Sequence, residues 1–290
     1  MRLGTWRADD GLRVVALVGD GWLDVAEVLS GDPRGRDLAA LIGEWDELGP
    51  RLQRAAERAQ AGEIALRAAD EKRLAPPVPS PRRILCIGHN YHAHVVERKA
   101  PVPKAPEVFL RIASTLRGPR DPILLPRETE EVDYEAELCV VIGKGGRRIA
   151  KEDALAAVFG WTVLNDVSVR PYQARGQQWT PGKNFEGTAP CGPYVVTADE
   201  LPDPQALEVS CVVSGEELQH GRTEDMIFDV ATLIADVSVF THLQAGDLIA
   251  TGTPPGVGMA RNPQRWLSPG DVVVSAVSGV GATENVCVAD

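Results

Sequence analysis

The chain has 290 residues, 44% of them hydrophobic and 24% charged, which is the balance of a globular protein rather than a disordered one. That length suffices for one large domain or two modest ones. The formal net charge of -11, without a basic tract, argues against a nucleic-acid backbone as partner; it leaves small anionic ligands open where positive charge is concentrated locally.

In chain order, residues 12–18 are apolar and β-branched, Gly19-Asp20-Gly21 is a turn, and residues 22–25 resume an extended pattern. No basic start leads into an apolar run, so no secretory leader is expected. Residues 48–67 change to an alanine-rich helical pattern, with Leu52, Ala55, Ala56 and Ala59 on one side. Pro76, Pro77, Pro79 and Pro81 then stop regular structure, and the expected division falls there: a small N-terminal domain over 1–76 and a second domain over 77–290. The second unit opens with a short buried strand at 83–87. Further strands are expected at 137–142, 161–165, 194–197, 207–213, 248–251 and 272–277, and helices at 152–158 and 225–240, the latter with Thr223 as N-cap. A terminal hairpin turns near Gly279 and returns through Val286-Cys287-Val288. The fold class is therefore mixed α/β and β-rich, with no steady alternation to make a barrel or a doubly wound sheet. No apolar stretch approaches the roughly 20 residues of a membrane span. The five cysteines are widely spaced, without zinc or redox spacing, which points to buried thiols and a reducing cytoplasm.

Three segments carry candidate chemistry. In Asp133-Tyr134-Glu135-Ala136-Glu137-Leu138, residues two apart on a strand share a face, so Glu135 and Glu137 present paired carboxylates. Such a pair repels itself and is expensive to desolvate; a hard divalent cation resolves both problems, and oxygen donors favour magnesium, manganese or calcium over zinc. Asp166, at the end of the 161–165 strand, is a third candidate. The plainer alternative is a solvated strand edge and a turn cap. In Gly88-His89-Asn90-Tyr91-His92-Ala93-His94-Val95-Val96-Glu97, a helix beginning by Tyr91 places His94 and Glu97 side by side, a carboxylate-oriented base. A transition-metal site on His89, His92 and His94, or no special role, stays open at this stage. Lys183, in a loop punctuated by glycine and proline, either holds a substrate oxygen or is a solvated surface lysine. The turn Thr251-Gly252-Thr253-Pro254-Pro255-Gly256-Val257-Gly258 either grips an anion through its N–H groups or only satisfies turn dihedrals.

Taken as an ordered set, these stretches resemble the fumarylacetoacetate hydrolase family. The set runs through Gly88 to Glu97, Asp133 to Leu138, Asn165-Asp166-Val167-Ser168 with Arg170, Gly182-Lys183-Asn184-Phe185, Pro190-Cys191-Gly192-Pro193, Asp225-Met226-Ile227-Phe228 and Thr251 to Gly258, over about residues 83–289. The resemblance implies a homodimeric enzyme that holds Mg2+ or Mn2+, with Ca2+ as a further option, on Glu135, Glu137 and Asp166. It implies His94 and Glu97 as the water-activating dyad, Lys183 at the substrate oxygen, and Arg170, Gln173 and Thr253 as substrate contacts. The implied substrate is a small anionic 2-oxo acid. The expected reaction is hydrolysis of a C–C bond in a 2,4-dioxo acid of acylpyruvate or fumarylpyruvate type. Alternatives are oxaloacetate decarboxylation, isomerisation or decarboxylation of 2-hydroxyhepta-2,4-dienedioate, and a non-enzymatic metal-binding scaffold. Departures from the family pattern occur at His89, His92, Ala93, Arg111, Pro171 and Glu186, at the pocket rim and around the ligands rather than among them.

Overall fold

Period-2 alternation in one central strand divides the interior into two cores. In Ala136–Ile142 every residue is buried; Ala136, Leu138, Val140 and Ile142 enter one apolar cluster, whereas Cys139 and Val141 enter another. The computed structural model describes residues 1–290. Its large sheet runs in the order Arg67–Ala68, Gly21–Asp24, Gly11–Val18, Arg2–Ala8, Ala189–Thr197, Val158–Asn165, Ala136–Ile142, Leu248–Ala250, Ile84–Gly88 and Glu107–Arg111. On one face lie the helices Leu38–Gly43 and Trp45–Gln60, which contribute Leu38, Leu41, Leu48, Leu52 and Ala55 to the second cluster. On the other lie the helix Val230–Phe240 and a five-stranded sheet that includes Glu208–Val213, Glu216–Arg222, Val272–Val277 and Gly281–Ala289. The architecture is mixed α/β and β-rich, with an α+β N-terminal region. No helix is long and apolar enough to cross a membrane.

Several elements differ from their sequence-based expectation. The strand Arg2–Ala8 was not expected; it pairs antiparallel with Ala189–Thr197, so the large sheet continues across the proline-rich segment. The long helix begins earlier and stops at Gln60, because Gly62 takes a left-handed φ of 80° and the chain returns to the sheet edge at Arg67–Ala68. Residues Lys151–Ala157 form a 3-10 helix, not an α-helix. The helix expected over 225–240 starts at Val230, where the Asp229 side chain accepts from the Thr232 N–H at 2.7 Å. Thr223 is not its cap; the hydroxyl instead accepts from the Leu207 N–H at 2.9 Å. All five cysteines are free and buried.

Leu138 is fully buried on the face of its strand opposite Glu137. Leu138→Ala is expected to cost about 2–5 kcal/mol in urea denaturation of the chelator-treated protein. The exposed Val96→Ala should stay within about 0.5 kcal/mol of the parent.

Candidate metal centre and proton-transfer pocket

The site forms where the strand Ala136–Ile142 meets the end of Val158–Asn165. Their antiparallel register sets Ala136 opposite Asn165 and Glu137 opposite Leu164, which brings Glu135 to the turn that carries Asp166. Two backbone contacts fix that junction: the Asp166 N–H donates to the Glu135 carbonyl at 2.8 Å, and the Glu135 N–H donates to Asn165 Oδ1 at 3.0 Å. One carboxylate oxygen each from Glu135, Glu137 and Asp166 then lies within 4.8 Å of the others, and all three residues are buried.

Three cations surround these acids. Lys183 Nζ donates to Glu135 Oε2 at 2.7 Å and to Asp166 Oδ2 at 2.6 Å. Arg170 Nη2 pairs with Glu135 Oε1 at 2.7 Å, and Arg111 Nε bonds Asp166. Burial alone would push Glu135 up, but Lys183, then Arg170 and His94, outweigh it and hold the carboxyl below the ordinary range. Glu137 has no such partner. It accepts the Gly252 N–H at 2.8 Å and forms no ion pair, so burial, then Asp166 and Glu135, push it well above the ordinary range. A buried carboxylate beside two others, lacking its own cation, is the donor set that a divalent metal satisfies. Glu135, Glu137 and Asp166 would hold that metal.

Lys183 is 2% exposed, which rules out a solvated surface lysine. Its depth depends on Gly182: a Cβ there would stand 2.4 Å from the Gln173 backbone nitrogen, so only glycine lets the turn Thr180–Lys183 pack against Arg170–Gln173. Asp166 and Glu135 raise the Lys183 pKa against the lowering effect of burial, keeping the ammonium charged.

The helix His92–Glu97 places His94 Nδ1 2.7 Å from Glu97 Oε1, as the three-residue spacing predicts. His94 lines a cavity of about 170 Å3 together with Glu135, Glu137, Asp166 and Lys183. With Nδ1 engaged by the carboxylate, Nε2 is the nitrogen left to take or give a proton. The three-histidine alternative is not formed. His92 is exposed, and His89 bonds Glu107 Oε2 through Nδ1 at 2.7 Å while its ring stands edge-on to Trp179 at the pocket rim.

The glycine turn does grip anions, but they are the protein's own carboxylates. The N–H groups of Gly252, Gly256 and Gly258 donate to Glu137 at 2.8 Å, Glu97 at 2.9 Å and Asp133 at 2.6 Å. One turn thus holds an acid of the metal set, the acid of the dyad, and Asp133, which in turn receives Arg170 Nε and Nη2 at 2.9 and 2.7 Å. Sequence reasoning assigned no role to Asp133, although it stands two residues before Glu135 and continues the same alternation. Arg111, noted only as a departure from the family pattern, is a buried partner of Asp166.

Arg170, Gln173 and Thr253 all line the cavity. Arg170 is committed to Asp133, Glu135 and, through Nη1, Gln173 Oε1 at 2.8 Å. The Thr253 hydroxyl donates to the Ala136 carbonyl at 2.9 Å and accepts from Gln219. Arg170 and Thr253 thus brace the wall, whereas Gln173 is engaged only through Oε1. Arg98, Trp179 and Met259 also line the cavity and were not anticipated.

Known proteins resemble this chain over most of its length. Residues 83–288 match the family described as fumarylacetoacetate (FAA) hydrolase C-terminal. The chain is 43% identical over 250 residues to oxaloacetate tautomerase FAHD2A, mitochondrial, of Homo sapiens, covering 86% of this chain and 80% of that protein. It is 40% identical over 256 residues to 2,4-didehydro-3-deoxy-L-rhamnonate hydrolase of a Sphingomonas strain, covering 88% of each. Among solved structures, maleylpyruvate hydrolase of Sphingobium sp. SYK-6, in complex with manganese(II) and pyruvate, superposes with a TM-score of 0.82 at 32% identity, covering 100% of this chain and 99% of that one.

Calorimetric titration of Mn2+ into chelator-stripped protein should show Glu137→Gln and Asp166→Asn weakening binding by more than the roughly 10–100-fold typical of losing a ligand's supporting partner. His92→Ala should leave the affinity unchanged. The opposite ranking would move the metal to the histidines.

Proposed function

Because the chain belongs to the fumarylacetoacetate hydrolase family, a family of metal-associated hydrolases and lyases, we propose that it is a divalent-metal-dependent enzyme that interconverts the keto and enol forms of a small 2-oxo acid of oxaloacetate type. The observation that carries the proposal is the cavity. At about 170 Å3 it is small beside the roughly 300–1,000 Å3 pockets of drug-sized ligands, and it places one carboxylate-oriented imidazole beside three acids and a buried ammonium. That is the equipment for moving a proton on a compact acid. The 43% identity to an oxaloacetate tautomerase supports the same reading and shifts the emphasis away from C–C hydrolysis.

In the keto-to-enol direction, His94 Nε2 takes a proton from C3, the C3–H electron pair becomes the C2–C3 double bond, and the C2=O π pair moves onto the 2-oxo oxygen, which takes a proton from solvent water while the imidazolium returns its own to solvent. Glu97 fixes the imidazole tautomer and stabilises its protonated form. The Lys183 ammonium supplies positive charge where the oxygen becomes electron-rich. When bound, a divalent cation supplies Lewis-acid polarisation of the 2-oxo group. Enol-to-keto conversion reverses each transfer at the same atoms. Assembly as a homodimer and a cytoplasmic location belong to the same proposal.

A second reading, hydrolysis of a 2,4-dioxo acid, has its own support in the 40% identity to a 2,4-didehydro-3-deoxy-L-rhamnonate hydrolase across 88% of each chain. There His94 would deprotonate water instead of C3. The two readings separate in one assay series, with chelator-treated enzyme reloaded with Mg2+ or Mn2+. Loss of enol-oxaloacetate absorbance, release of pyruvate by decarboxylation, and cleavage of acylpyruvates are followed in parallel. The proposal expects the highest kcat/KM for enol–keto conversion, and a fall of about 10²–10⁴-fold in kcat for His94→Ala with Tm unchanged. Acylpyruvate cleavage with no acceleration of enol conversion would establish the hydrolase instead.

A further inference from the structure

We propose that Arg98 reads the far end of the substrate: its guanidinium binds a second carboxylate, so the site is built for a 2-oxo dicarboxylate rather than a 2-oxo monoacid. This deepens the proposed function and rests on its placement of a 2-oxo acid in the cavity.

Four cationic side chains lie in or against this pocket, and three are held by carboxylates. Lys183 bonds Glu135 and Asp166, Arg170 bonds Asp133 and Glu135, and Arg111 bonds Asp166. Arg98 is the exception. It is half-buried and lines the cavity, yet no carboxylate pairs with it; its side-chain contact is from Nη1 to the thioether sulfur of Met259. A thioether is a weak acceptor, and a guanidinium carries five N–H donors in a planar fork matched to a carboxylate. The adjacent Glu97 is already engaged, with Oε1 on His94 and Oε2 on the Gly256 N–H. Burial, then the like charge of Arg170, push the Arg98 pKa down; Glu135, Asp133 and Glu97 act in the opposite direction without reversing it. Arg98 is thus the one cation of the four without a carboxylate partner. Met259 is itself anchored, since its N–H donates to Asp133 Oδ2 at 3.1 Å.

The position suits the far carboxylate of a four-carbon acid. The Arg98 N–H donates to the His94 carbonyl at 3.0 Å, so Arg98 continues the helical path one turn beyond the proposed base. Residues four apart on a helix share a face. In oxaloacetate the second carboxylate is bonded to C3, the carbon that exchanges its proton with His94. A base and a cation on one helical face thus match a carbon acid and the carboxylate attached to it.

The test uses two ligands that cannot enolise and differ at one group: 3,3-dimethyloxaloacetate and trimethylpyruvate, in which a methyl replaces the second carboxylate. Each is titrated by calorimetry into the Mg2+-loaded full-length protein. Wild type should prefer the diacid. Arg98→Met should weaken the diacid by about 10–100-fold, leave trimethylpyruvate unchanged, and retain metal affinity and Tm. Arg98→Lys should restore part of the preference. Equal affinities in the wild type, no binding of the diacid, or equal losses for both ligands in Arg98→Met each overturn the assignment, the first two without any variant. If wild type shows Arg98-dependent selectivity but does not interconvert oxaloacetate tautomers, the proposed reaction has failed and the recognition stands. Fast interconversion with unchanged KM in Arg98→Met gives the converse.

Discussion

Three carboxylates are buried within 4.8 Å of one another, and much of the surrounding structure answers the charge they create. Like charges at that separation repel strongly where water is excluded, and burial adds a desolvation penalty to each. The protein supplies opposite charge from three separate stretches of chain: Arg111 at the end of an edge strand, Arg170 in the turn after Asp166, and Lys183 from the glycine-dependent turn that follows. The glycine turn at 252–258 supplies N–H dipoles to Glu137, Glu97 and Asp133. Glu137 keeps only a dipole, a deficit that the proposed divalent cation would relieve.

The same network ties the metal set to the proton-transfer pair. Glu97 orients His94 with one oxygen and is held by Gly256 with the other, while Gly252, four residues earlier in that turn, holds Glu137. Displacing the turn would disturb both the metal acids and the base. A close fit enforces its conformation: a Cβ on Gly256 would stand 2.0 Å from the Leu218 carbonyl, and one on Gly258 1.9 Å from the Arg265 carbonyl. The two cores on either face of the large sheet hold the strands from which the acids project, so precision at the site derives from packing well away from it.

What was legible in the sequence was local. Period 2 put Glu135 and Glu137 together, three-residue helical spacing put His94 against Glu97, and apolar runs located most central strands. The nearness of Asp166 to Glu135 is a property of strand register across 31 residues of chain, and the order of family motifs, not any local pattern, pointed to it. The burial of Lys183 depends on a backbone approach at Gly182 that no propensity encodes. The isolation of Arg98 was unreadable for the same reason: a charge is unpaired only relative to neighbours that tertiary structure chooses. The anion-gripping turn was recognised as such, yet its anions turned out to be internal carboxylates. The helix starts at Val230 rather than near 225 because residues 226–228 are tied to another segment: Met226 bridges Tyr91, and the Ile227 and Phe228 N–H groups donate to Asn90.

The proposed chemistry requires a metal at the acidic cluster beside the His94–Glu97 pair. Anomalous scattering from a crystal of the protein soaked in Mn2+ tests it most directly. A single strong peak is expected at coordination distance from oxygens of Glu135, Glu137 and Asp166. A peak on the histidines, or none at the three carboxylates while Lys183 keeps both of its acid partners, would contradict it.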